Sequence, residues 1–421
     1  MKKYMSFLLV CFVFVGIAVA QNQTETQQRD FRFRMSSQFS FDAAHYFNLK
    51  NGTLDESGDP VMPGGVQLRR LRVGAHADYG DWHSAIVLEA GNGVLGLRDA
   101  FAQYSGLENV VFRIGQFKED FSIEEVTNSR NILFLERAMV VNTFAPARHI
   151  GVQAQWHQFD FLRASIGASW HTALSTSDNR EIIELREEGY RIGANFTGRV
   201  VFMPWMSSGT HGLHIGYGIS RRSARRADTY NGANFSSRNA TSIDRTSFMA
   251  TGDIWGVSHD LVHGFELAGF WNGFRIQGEL ILNNTVMDRS FEPPRLPHEP
   301  PFNYQTKRFF GYYIQASHLL FGGSQRYSTS RGAFVAPTRG RSWGDIEVAA
   351  RFDYLNLNSG EINGGSGHNI SFGVTYHMNR HVRMMLNYQI ARNDRYANAN
   401  NPDIVPNARF NVIQARLEVA F

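Results

Sequence analysis

From Phe31 to Phe41 the chain reads Phe-Arg-Phe-Arg-Met-Ser-Ser-Gln-Phe-Ser-Phe, with mostly apolar residues at odd positions and polar ones at even positions. Only a strand, with its period of two, keeps those sets on opposite faces; a helix would mix them. The pattern returns in Ile370, Phe372, Val374, Tyr376 and Met378, which alternate with polar or small residues, and in Val382 to Ile390. In the last stretch Asn411, Ile413, Ala415, Leu417, Val419 and Phe421 share one face, and Gln414, Arg416 and Glu418 the other. Segments 65–79, 109–118, 148–157, 161–171, 189–203, 210–222, 273–284, 307–318 and 345–356 read alike. So many two-faced strands suit a closed sheet with lipid outside and water inside, because lipid tolerates no unpaired strand edge. The expected fold is all-β: a transmembrane antiparallel β-barrel spanning 31–421. Sixteen or seventeen strand candidates are visible. A bacterial barrel closes on an even number, so sixteen are expected, with one candidate near 250–271 split in error.

Connections follow the same plan. Tyr79 to Trp82, Trp156 to Phe159 and Met378 to His381 read as tight turns, and 172–187, 223–243, 288–304, 320–342 and 394–407 as longer polar links. Short turns on one rim and long loops on the other are expected. One link differs in kind. Alternation stops at Lys118 and resumes at His149, and Ser122-Ile123-Glu124-Glu125 has the spacing of a helix capping box. This mixed apolar and charged segment, 118–148, is expected to fold into the lumen and constrict it.

The N-terminus assigns a compartment. Lys2 and Lys3 precede an apolar run from Phe7 to Val19, and Ala18-Val19-Ala20 is a small-x-small site before the polar segment 21–30. This reads as a secretory signal peptide over 1–20, cleaved after Ala20; an uncleaved anchor is the alternative, and the run is short for a membrane helix. The one cysteine, Cys11, lies inside that run, so no disulfide framework is expected in the exported part.

Charge then points to a cargo. The net charge is +4, too small to suggest nucleic acid as a partner. Five lysines (Lys2, Lys3, Lys50, Lys118 and Lys307) leave 37 of the 42 basic residues as arginine. Alternation turns Arg32, Arg34, Arg70, Arg72, Arg113, Arg163, Arg191, Arg199, Arg222, Arg275, Arg351, Arg383 and Arg416 inward, and around Arg69-Arg70 a change of phase suggests a bulge that aims both side chains at the lumen. Guanidinium groups lining a pore favour anions. Inward acids, among them Asp42, Glu279, Glu347, Asp353 and Glu418, leave a second possibility, a wall of arginine–carboxylate pairs that only braces the barrel.

The segment GQFKEDFSIEEVTNSRNILFLERAMVVNTFAPARHIGV from Gly115 resembles the signature of the phosphate- and polyphosphate-selective porins of Gram-negative outer membranes. Leu68 to Gly74, Gly80-Asp81-Trp82, Leu97 to Phe101, and the C-terminal GDIEVAARFDYLNLNSGEINGG and HNISFGVTYHMNRHVRMMLNY are similar too. The resemblance implies a sixteen-stranded barrel, a homotrimer and a pore-constricting loop. It also implies an arginine ladder with a lysine cluster: Arg69 and Arg70 match the paired arginines of an early strand, and Lys118 the basic position leading into the constriction. The chain departs in having few lysines, and in Asp120 where a proline often stands. Phe421 looks like the C-terminal aromatic read by the barrel insertion machinery.

No phosphate-binding P-loop, GxSxG elbow or HExxH is present, and the histidines lack metal-ligand spacing, so neither an enzyme nor a cofactor or metal site is expected. The expected function is passive diffusion of small inorganic anions (phosphate, polyphosphate, chloride) across outer-membrane lipid, with Arg34, Arg69, Arg70, Arg72, Arg113, Lys118 and Arg130 along the path. A weakly selective general porin, and a barrel lipase or structural barrel, are the alternatives.

Overall fold

The computed structural model describes residues 31–50, 62, 64–91, 94–170, 191–206, 210–226, 231–241, 243–244, 246–292, 302–397 and 407–421. The leader 1–20, the segment 21–30 and the 172–187 link lie outside the described residues.

Sixteen strands form a closed barrel: β1 (Phe31–Lys50), β2 (Gly65–Tyr79), β3 (Trp82–Gly91), β4 (Val94–Leu107), β5 (Val110–Lys118), β6 (Arg148–Phe159), β7 (Leu162–Trp170), β8 (Asn195–Phe202), β9 (His211–Ser223), β10 (Val257–Trp271), β11 (Phe274–Met287), β12 (Lys307–Leu319), β13 (Asp345–Ser359), β14 (Ile362–His377), β15 (Val382–Asn393) and β16 (Arg409–Ala420). Each pairs antiparallel with its sequence neighbours, and β16 closes onto β1 over Gln38↔Ala420 to Phe47↔Asn411. At the end of that seam Phe421 and Ser37 exchange two backbone hydrogen bonds of 3.0 Å. The doubtful region near 250–271 resolves into one barrel strand, β10, preceded by the short pieces Met249–Ala250 and Ile254–Trp255 in a loop.

The alternating positions sort as the pattern requires. Met35 is 69% exposed and Ile166 68%, and Phe33, Ile114, Leu267 and Leu386 also point outward. So much apolar surface would be a liability in water and is a requirement in lipid. Near one rim Trp82 packs on Tyr104 and Phe321 on Trp343, each pair with ring centroids 4.9 Å apart, as in an interfacial aromatic girdle. The bulge in β2 is real. Ser40 pairs with Arg70 and Phe41 with Leu68, so Arg69 is the extra residue.

Two expectations about connections need correction. β6 runs through Phe159, and its turn falls on Asp160-Phe161 rather than between Trp156 and Phe159. The 320–342 link does not join the loop rim. Strands alternate in direction, so a connection leaving the end of β12 must share the rim of the tight turns at 80–81, 272–273 and 378–381, which in such barrels faces the periplasm.

Candidate functional site

The lumen is narrowed first by residues 119–147, between β5 and β6. Ser122 caps the short helix α1 (Ile123–Val126), its Oγ accepting from the Glu125 amide at 3.1 Å, as the capping-box spacing anticipated. A second helix, α2 (Met139–Phe144), follows, and Phe121, Ile123, Phe134, Leu135 and Met139 are buried inside the barrel. Wall arginines grip this loop by its backbone: Arg416 Nη1 donates to Leu135 O at 2.8 Å, Arg383 Nη2 to Ser129 O at 2.8 Å and Arg351 Nη1 to Glu136 O at 3.0 Å. Its carboxylates return the grip. Glu136 takes Arg69 at 3.1 Å and Arg416 at 3.3 Å. Asp120 bridges Arg163 at 2.5 Å and Arg199 at 3.0 Å. Burial alone would raise these two acids, but Arg69, Arg70 and Arg416 hold Glu136 at about 2, and Arg163 and Arg199 hold Asp120 well below the usual carboxylate range.

Residues 320–344 enter from the opposite rim. Their hairpin, Arg326–Ser328 paired with Ala333–Val335, lies within the barrel mouth. Ser330 O accepts from Arg163 Nε and Gly332 O from Arg199 Nη2, both at 2.9 Å, and the Arg275 guanidinium lies 3.7 Å from the Phe334 ring centroid. Phe334 also packs with Ile123, Ala268 and Phe270, so the two insertions meet. Together they pack against the inner wall from β7 round to β16.

What stays open lies against β1 to β6, a cavity of about 680 Å³. Eight basic residues line it (Arg72, Arg98, Arg113, Lys118, Arg130, Arg148, Arg163 and Arg331) against two carboxylates, Asp99 and Asp120. Five of the eight are committed to carboxylates. Arg72 is 3.0 Å from Glu89, which also takes Arg98; Arg148 is 2.9 Å from Asp99; Lys118 is 3.1 Å from Glu125; and Arg163 is held by Asp120. Arg113, Arg130 and Arg331 have no carboxylate partner among the described residues. Arg113 donates only to Gln103 Oε1, at 2.7 and 3.2 Å, with its guanidinium 4.8 Å from the Phe101 ring centroid and 5.5 Å from that of Phe117. A second cavity of about 400 Å³ shares Arg130 and Asn131 with the first and is lined by Arg326, Arg339, Arg341, Arg380 and Arg383, with Glu418 its one carboxylate. Arg130 thus stands where two basic compartments meet.

The residues expected to form the path separate into three groups. Arg72, Arg113, Lys118 and Arg130 line the open cavity. Arg69 and Arg70 do turn inward but are not among its lining residues. Arg69 clamps the loop through Glu136, and Arg70 is buried with its nearest carboxylate, Glu89, at 3.9 Å. Arg34 lies near the turn rim, largely exposed and paired with Asp78 at 2.8 Å. Arg98, Arg148 and Arg331 line the cavity too, although strand alternation does not point to them. The first two stand in motifs that carried the resemblance, whereas Arg331 sits in a link with no periodicity to orient it.

The closed barrel, its apolar belt and the inward loop are those of an outer-membrane porin. The family described as phosphate-selective porin O and P matches residues 43–421, and the chain belongs to that family. It is 24% identical to Porin O of Pseudomonas aeruginosa over 419 residues, covering 89% of this chain and 86% of that one. It is 25% identical to an uncharacterized protein of Caulobacter vibrioides over 397 residues, 92% of this chain and 75% of the other. Among solved structures the anion-selective porin from Comamonas acidovorans matches with a TM-score of 0.56 at 11% identity, covering 93% of this chain and all of that one. The outer-membrane channel DcaP of Acinetobacter baumannii matches with a TM-score of 0.54 at 9% identity, covering 94% and 99%. At such identities these two likenesses speak for the fold.

Proposed function

We infer that this porin is a passive channel for small anions, phosphate-type oxyanions and chloride among them, and that anions move along the cavity beside β1 to β6. The observation that carries the reading is the imbalance in that cavity, eight basic residues against two acids, with Arg113, Arg130 and Arg331 lacking a carboxylate partner among the described residues. A guanidinium offers a planar fork of donors to an oxyanion, and weak binding at several stations lets the ion leave again. Lys118 and Arg72 add charge to the wall, while Arg69, Arg70 and Arg34 act away from the path. Three further parts of the reading are that the leader is cleaved after Ala20, that the barrel is a homotrimer, and that Phe421 presents the barrel to the insertion machinery.

The purified protein in a planar bilayer under a KCl gradient tests this. A reversal potential near the chloride limit is expected, with added phosphate reducing the chloride current. Replacing Arg113, Arg130 and Arg331 together by Ala should move that potential towards the potassium side. A wild-type potential near zero would favour a weakly selective porin, the reading that the many wall arginines already paired with carboxylates would then support.

A further inference from the structure

The inside of a water-filled barrel is normally polar, and here most inward positions obey: Ser36, Gln38, Ser40 and Asp42 on β1, Gln414, Arg416 and Glu418 on β16. Where inward positions are apolar, something covers them. Val262, Ile281, Phe309 and Leu355 are fully buried beneath α2 and the loop between β9 and β10.

One panel breaks both habits. On β3, β4 and β5 the lumen-facing positions include Ala85, Val87, Phe101, Val111 and Phe117, while their neighbours Ile86, Phe112 and Ile114 face outward. Val87, Phe101 and Val111 are instead only partly buried and line the open cavity. Arg113 rises from the middle of this panel, two residues from Val111, its guanidinium flanked by Phe101 and Phe117. Chloride or inorganic phosphate can engage the Arg113 guanidinium, which is held by Gln103 and has no carboxylate partner among the described residues, but makes no use of the apolar side chains beside it. For a solute with an anionic end and an apolar body it supplies contacts to both parts.

We propose that the cavity beside β3 to β5 binds organic monocarboxylates with an apolar or aromatic body, and holds them more tightly than inorganic phosphate. The carboxylate meets Arg113, with Arg130 and Arg331 as its neighbouring stations, and the body lies on Val87, Phe101 and Val111. This assignment rests on the anion-channel reading and names a class of cargo within it.

The test uses the whole protein in a planar bilayer, with benzoate, acetate and phosphate each titrated against the chloride current. Benzoate should halve the current at a concentration at least about tenfold below that needed for acetate or phosphate. In a Val87→Thr/Val111→Thr variant, which keeps side-chain shape while adding a hydroxyl, that advantage should fall to less than about threefold. Heat-modifiable migration on a gel verifies that the variant is a folded barrel. Equal block by the three anions in the wild type, or an advantage that survives in the variant, overturns the cargo assignment while leaving the anion channel intact. A wild-type reversal potential at zero overturns the channel reading and the cargo with it.

Discussion

At the scale of the residue, the arginines divide by what their guanidinium groups touch, and the division predicts two different kinds of mutant. Arg416 shows the structural kind: Nε and Nη2 donate to the two oxygens of Asp42, both at 2.7 Å, across the β16–β1 seam, with neither side chain exposed. Asp42→Ala would take from that buried cation its two short carboxylate bonds, leaving the longer contact to Glu136 and the Leu135 carbonyl, so a loss of about 3–5 kcal/mol is expected. It would be read as a lower temperature of barrel unfolding in detergent. Asp78→Ala, which strands the largely exposed Arg34, should cost under about 1 kcal/mol; equal losses in the two variants would refute this ranking by burial. Strand alternation placed Asp42 and Arg416 on the inner face, and the change of phase at Arg69 announced the bulge. Their pairing was not legible, because it depends on the register of strands 374 residues apart in the chain. For the same reason alternation could say which arginines face inward but not which would find a carboxylate there.

At the scale of the element, the constriction loop is a charged clasp, and its hold depends on carboxylates staying ionised. Glu136 sits at about 2 in the folded protein against an ordinary 4.5, so its support for docking is complete above about 4.5 and disappears as pH falls through about 2. The part of the docking that Glu136 supplies should therefore hold from neutral pH to about 5, whereas Glu136→Gln should bring unstable single-channel conductance already at neutral pH. A variant as steady as the wild type would remove Glu136 from the clasp. The second insertion predicts a larger effect. Replacing residues 326–335 by a short link would free Arg163, Arg199 and Arg275 from Ser330 O, Gly332 O and Phe334, opening the β7–β12 side and raising conductance. Unchanged conductance would mean that the constriction loop closes that side alone. The two insertions were not equally legible. Residues 119–147 announced themselves through interrupted alternation and a capping box, while 320–344 carry no periodic pattern and dock partly through backbone carbonyls, which every residue type possesses.

At the scale of the whole molecule, the fold follows from one demand, that no strand edge meet lipid. Sixteen alternating strands meet it only if the last returns to the first, and the chain completes that closure at Phe421, whose backbone exchanges two 3.0 Å bonds with Ser37 while its ring stacks 5.1 Å from His381. Two roles for this residue can therefore be separated. As part of the seam it contributes little: two backbone bonds at about 0.5–1.5 kcal/mol each, beside a strand already paired along its length. As a recognition signal it would contribute much more, because a chain that is not inserted remains outside the membrane with its apolar belt in water. Removing Phe421 should therefore sharply reduce the amount of barrel in the outer membrane of expressing cells. The same variant, refolded from denaturant into detergent, should yield barrels with wild-type conductance and a melting temperature only slightly lowered. Failure in both settings would make Phe421 a structural clamp of the seam, and success in both would remove it from assembly altogether.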